Sequence, residues 1–324
     1  MTAASDIFQR LAGGEVIVTD GGTGTELQAL GVPMDEATWS GRANLDQLDV
    51  VQSLHESYVR AGAEVLIANT FATSRAALGP AGLGDRVAEA NRNAIAAALR
   101  ARAAAGGRPV AVAGSMSSFC LIAMGGRGDE AGGEGASQDD AGDPDADDPR
   151  FPSRADFAEQ AALLAEAGAD LIALELMESS GYGRAALEAA TSTGLPVWLG
   201  FSAIRHDGTL ISDPELGHGE SFEDLVASLV RSDLAAVNIM HAKVSTVPDA
   251  IDIVRKHYDG PIGVYAESGD WDPPDWVFNG LNPQEYLREA SGWVARGAQL
   301  IGGCCGIRPD HIKALAEGLP RRAR

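Results

Sequence analysis

The sequence predicts a single (β/α)8 TIM barrel. Three observations imply it: eight short apolar runs, helical periodicity between them, and polar residues gathered at the C-terminal ends of the runs. The runs occupy residues 16–20, 65–69, 110–114, 171–175, 197–201, 235–238, 262–265 and 300–303, each the length of a strand buried on both faces. Such strands need crossover helices, and the intervening segments supply them. Residues 45–61 place Leu48, Val51, Leu54 and Tyr58 on one stripe. Residues 157–167 do the same with Phe157, Ala161, Leu164 and Ala167, and residues 222–230 with Phe222, Leu225 and Leu229. Further helices are expected at 86–104, 184–193, 247–258, 283–296 and 309–318. A doubly wound open sheet is the alternative, but nothing divides the chain into halves, so residues 1–324 are read as one domain.

One stretch breaks the alternation. Residues 125–150 are rich in Gly, Asp and Glu and poor in apolar side chains, which predicts a mobile acidic insertion after the third strand. The carboxylate spacing of an EF-hand is missing from it. Loops after barrel strands lie over the active-site mouth, so its position still matters.

Composition narrows the function. A formal net charge of −21 argues against a nucleic-acid footprint, and no apolar run approaches the ~18 residues of a membrane helix. Residues 1–6 lack the basic and apolar regions of a signal peptide, and the three cysteines make no disulfide framework; a cytoplasmic protein is expected. Only three of the 25 Lys and Arg residues are lysines, which fits either adaptation to high salt or genomic base bias.

Chemistry-bearing residues collect at the strand tips. The first run ends in Asp20-Gly21-Gly22-Thr23-Gly24-Thr25-Glu26-Leu27, which satisfies neither GxGxxG nor the P-loop pattern. It is better read as a carboxylate at a strand tip followed by a tight turn. The second run ends in Asn69-Thr70-Phe71, the third in Gly114-Ser115-Met116 and the fourth in Glu175-Leu176-Met177-Glu178. The eighth ends in Gly302-Gly303-Cys304-Cys305-Gly306. Consecutive strand side chains point to opposite faces, so two adjacent thiols can share one site only if the backbone turns there. The glycines permit that turn, and soft-metal ligation is the chemistry such a pair suits.

With these motifs in view, the chain resembles the homocysteine S-methyltransferases over about residues 16–315. The resemblance rests on residues 20–27, Ala68-Asn69-Thr70-Phe71, Glu175, Val237-Asn238 and the stretch 302–312. It implies a barrel enzyme that holds Zn2+ through three cysteines, two of them the pair matching Cys304 and Cys305. It also implies that Asp20 and Glu175, with Gly21 and Asn69 nearby, bind the substrate amino acid. The implied reaction passes a methyl group from a sulfonium, betaine-like or folate donor to the thiol of homocysteine or a related thiol. Implied donors are S-methylmethionine, S-adenosylmethionine, a betaine or a methylated folate. The expected partners are the thiol amino acid and the methyl donor, with no nucleic acid and no membrane. No further module follows residue 324, so a stand-alone enzyme of methionine metabolism is expected.

This chain departs from the family where the first zinc cysteine should follow Val237-Asn238, because Ile239 stands there. His241 lies two residues on, roughly 6.5 Å further along a strand, and alternation would give it the same face as Ile239. An imidazole at His241 is therefore a candidate third ligand. Met240 is the weaker candidate, because thioethers favour softer metals, and Cys120 and Glu267 are further ones. Glu267 replaces the asparagine of the family's Tyr-Pro-Asn-Ser-Gly in Tyr265-Ala266-Glu267-Ser268-Gly269, and is read as a ligand, a base or a solvated carboxylate. The alternative function is a non-catalytic amino-acid-binding or regulatory barrel that has lost its metal.

Overall fold

The computed structural model describes residues 3–35, 38–118, 144, 151–212, 219–272, 275–277 and 280–323. The acidic stretch at about 125–150, but for Pro144, lies outside the described residues, and so does Cys120.

All eight apolar runs become parallel strands of one sheet. They are β1 (Ile17–Val18), β2 (Val65–Ile67), β3 (Ala111–Ser117), β4 (Leu171–Glu175), β5 (Val197–Phe201), β6 (Ala236–Lys243), β7 (Ile262–Glu267) and β8 (Ala298–Ile301). Their order around the sheet is β1-β8-β7-β6-β5-β4-β3-β2. A parallel bridge between Thr19 and Val65 closes the ring, with the Asp20 N–H donating to Val65 O at 3.1 Å. The eight expected crossover helices are present too, from Leu48–Ala61 to Pro309–Gly318.

Alternation sorts the strand residues into two layers. Ile17, Val65, Ala111, Ala113, Leu171, Ala173, Trp198, Ala236 and Leu300 form the inner cluster. Their neighbours Val112, Ile172, Leu174, Val197, Leu199 and Val237 face the helices in the larger outer cluster. Inside, one large ring (Trp198) is matched by several alanines, as filling a narrow barrel requires. A helix not expected from the sequence, Ala3–Ala12, packs Ala4, Ile7 and Leu11 onto the inner cluster. The base is thus plugged, and only the opposite end offers a site. Two small hairpins, Ile204–His206 with Thr209–Ile211 and Asp270–Asp272 with Asp275–Val277, follow β5 and β7 and were likewise not anticipated. No described helix is long and apolar enough to cross a membrane.

Candidate active site at the barrel mouth

Beyond β8 the chain turns as its glycines allow. Gly303 N–H donates to Asp20 O and Cys304 N–H to Ala266 O, each at 3.0 Å, while Ser268 N–H donates to Cys305 O at 2.8 Å. Gly306 completes the turn at φ +80°. The loop after β1 presses against this turn: Gly22 N–H donates to Ile307 O at 2.9 Å, and a Cβ on Gly22 would lie 2.5 Å from Cys304 O. The two sequence motifs are therefore one packed unit. Its consequence is that both thiols face the same side, with the sulfurs 3.8 Å apart.

His241 completes the cluster, by a route the strand period did not foresee. Ile239 is fully buried in the outer, helix-facing layer, and strict alternation would send residue 241 there as well. Instead the backbone at His241 is left-handed, at φ 45°, and the β6–β7 register shifts between Met240 and Lys243. This bulge turns the ring towards the thiols, and the Ser202 hydroxyl anchors it by donating to His241 O at 2.9 Å. Nδ1 lies 3.6 Å from Cys304 Sγ and 3.9 Å from Cys305 Sγ. The expectation that Ile239 and His241 share a face is thus corrected, although His241 does stand beside the cysteines.

Glu267 borders the cluster and is not solvated. One carboxylate oxygen lies 3.4 Å from His241 Nδ1 and the other 3.1 Å from Lys243 Nζ, which also donates to Gly269 O at 2.6 Å. Met240 does not offer its sulfur to the thiols, because Sδ accepts the Leu176 N–H at 3.3 Å.

Asp20 is buried at the tip of β1; Oδ2 accepts the Ile67 N–H at 2.9 Å, while Oδ1 has no partner among the described residues. Burial, and then the charge of Glu175, push its carboxyl well above the ordinary range, outweighing the Ile67 hydrogen bond. Glu175, at the end of β4, accepts a hydrogen bond from the Ser115 hydroxyl, yet burial still carries it up to about 7. Two buried carboxyls within reach of each other's charge make a site for a cation.

The remaining sequence-predicted residues shape this site from behind. Asn69 has its amide committed within the protein: Nδ2 donates to Ser40 O and Asn44 Oδ1, and Oδ1 accepts the Ser40 hydroxyl. A Cβ on Gly21 would sit 2.2 Å from Ile307 O, so this glycine lets the first and last loops meet.

Three features escaped sequence reasoning. Leu176, Met240 and Tyr265 form a small apolar wall with Ile67, Phe71 and Cys304, joining the carboxylate side of the mouth to the thiols. Glu178 is buried and accepts the Ser202 N–H at 2.9 Å, so it serves the scaffold of the bulge. His55 lies 4.0 Å from Asp20.

The electrostatics at the thiols favour a cation. The Cys305 thiol and burial hold Cys304 well above the usual thiol range, while His241 pulls it back down. Burial disfavours the imidazolium of His241, but Cys304 and Glu267 outweigh it and bring that group to about 9. Among the described residues, His241, Cys304 and Cys305 are the one set of three such donors, with ligand atoms all within 4.8 Å of one another.

Comparison with known proteins is consistent along the whole chain. The family described as Homocysteine S-methyltransferase matches residues 17–319. Homocysteine S-methyltransferase 1 of Zea mays is 29% identical, covering 99% of this chain and 99% of that protein. Homocysteine S-methyltransferase YbgG of Bacillus subtilis is 28% identical over 93% of each. The metallated form of the homocysteine methyltransferase MmuM from Escherichia coli superposes with a TM-score of 0.71 at 25% identity, covering 94% of this chain and 96% of that one.

Proposed function

Because the chain belongs to the homocysteine S-methyltransferase family, and is therefore a methyltransferase, we propose that it methylates the thiol of homocysteine or a close relative at a zinc ion held by Cys304, Cys305 and His241. The observation that carries this reading is the meeting of two sulfurs and a ring nitrogen within 4.8 Å at the mouth of the barrel. That donor set suits zinc in chemistry and number, since catalytic zinc takes three protein ligands and leaves a position for substrate. When bound, zinc would supply the Lewis acidity that keeps a thiol sulfur as thiolate near neutral pH.

The chain's own groups do the rest. Asp20 and Glu175 receive the substrate ammonium, whose charge brings both carboxyls back to their ionised forms. The wall of Leu176, Met240 and Tyr265 lines the path from that ammonium to the thiol and suits the substrate's methylenes. The Ser115 hydroxyl holds the Glu175 carboxylate in place. Asn69 contributes by holding the loop after β2 through Ser40 and Asn44, and Gly21 by admitting the last loop. In the transfer the substrate loses its thiol proton and gains a methyl group, and the electron pair of the old methyl bond leaves with the donor. A sulfonium, a betaine or a methylated folate each fits that balance.

The reading of a barrel that has lost its metal draws no support from the comparisons or from a cluster of two thiols and an imidazole. Zinc content and methyl transfer to homocysteine, assayed with S-methylmethionine, S-adenosylmethionine, a betaine and a methylated folate, test the proposal. Cys304→Ser and Cys305→Ser are each expected to lose zinc and activity while remaining folded. Full activity in both variants would overturn it.

A further inference from the structure

His55 sits on the helix Leu48–Ala61, on the stripe between Val51 and Tyr58 that faces the barrel. It is completely buried, and neither ring nitrogen has a hydrogen-bond partner among the described residues. A leucine would fill such a position without leaving polar atoms unpaired, so the ring needs a polar reason to be there. Among the described residues the ionisable group it pairs with is Asp20, whose Oδ2 is 4.0 Å from Nδ1.

Asp20 is short of donors. Two or three donated hydrogen bonds can hold a buried carboxylate in its charged form, whereas among the described residues the Ile67 N–H is the one donated to this side chain. A cationic donor would make up the deficit but would also cancel the charge a substrate ammonium needs. A neutral imidazole donates without adding charge. Burial keeps His55 neutral by lowering it to about 4.

We propose that His55 is a positioning residue for substrate binding. Its Nδ1–H closes onto Asp20 Oδ2 when that carboxylate faces the substrate ammonium, leaving Oδ1 for the ammonium. A movement of about 1 Å brings the pair into hydrogen-bond range. The role rests on the reading that Asp20 receives the ammonium.

Calorimetry of homocysteine binding to the zinc-loaded protein tests both. His55→Leu is expected to weaken binding about tenfold without changing zinc content. His55→Asn, whose amide N–H stands where Nδ1–H stood, should bind within about threefold of the parent. His55→Gln, whose amide falls at the Nε2 position, should behave like leucine. A merely structural role would move the Asn and Gln variants alike, and this contrast serves if the leucine variant does not fold. In an Asp20→Asn background, His55→Leu should add nothing. If Asp20→Asn weakens binding while the leucine and Gln variants bind as the parent does, the role of His55 falls and that of Asp20 stands. An undiminished effect of His55→Leu in the Asp20→Asn background also excludes action through Asp20. Parental affinity in Asp20→Asn alone would remove both readings together.

Discussion

Glu175 shows what a buried carboxyl at the barrel mouth costs the fold. Its carboxyl is ordinarily near 4.5 and stands at about 7 in the folded chain, because burial penalises its charge. A group raised on folding gives stability that is complete below its unfolded value and is lost as pH climbs through its folded value. The window here runs from about 4.5 to about 7, and the loss across it is of order 3 kcal/mol. Glu175→Gln cannot pay this penalty. The variant should therefore gain on the parent between pH 5 and pH 8 by roughly that amount, read from urea titrations at the two values. Equal pH dependence in the two proteins would show that the carboxylate is not held uncharged. Glu175 and Asp20 were legible in the sequence because each ends an apolar run with a carboxylate, which a buried strand does not otherwise invite. His55 was legible only in part. Its spacing from Val51 and Tyr58 puts it on a core stripe, but which group it meets depends on how the helix Leu48–Ala61 lies on the barrel.

At the scale of one element, β6 decides whether the metal site exists. A period of two is reliable along a regular strand, and it sorted the inner and outer residues of β3, β4 and β5. It fails at a bulge, where one residue takes a left-handed conformation and the next side chains change face. Sequence does not announce this for a histidine as it would for a glycine, so the approach of His241 to the thiols could be guessed but its path could not. The expected consequence is specific. His241→Ala should lose zinc, measured by metal analysis of the purified protein, and adding Ile239→Cys should not restore it. The new thiol would lie among the helix-facing side chains of Ile239's layer, on the far side of the strand from Cys304. Recovery of zinc in the double variant would mean that β6 can straighten to present residue 239. Full zinc in His241→Ala alone would remove the imidazole from the ligand set.

For the molecule as a whole, the alternation of apolar runs and amphipathic segments made the barrel readable, because each strand is buried on both sides and each helix on one. What pattern could not convey was closure, which depends on backbone bonds between Thr19, Asp20 and Val65, and the plugging of the base by Ala3–Ala12. Closure would make a metal at this cluster a matter of global stability. His241 comes from β6 and the cysteines follow β8, with β7 between them, so an ion at this cluster would tie the sheet across an intervening strand. A ligand at about 100 times its Kd adds about 2.7 kcal/mol to the native state, which for a chain of this size is a rise in Tm of roughly 5 °C. Dialysis against a chelator should therefore lower the melting temperature of the parent by about that much. A net charge of −21 also attracts divalent cations loosely over the surface, so the control is Cys304→Ser combined with Cys305→Ser in the same buffers. That protein should melt at one temperature with or without chelator. An equal fall in both would assign the effect to the acidic surface, and no fall in either would mean that the cluster holds no ion that the fold depends on.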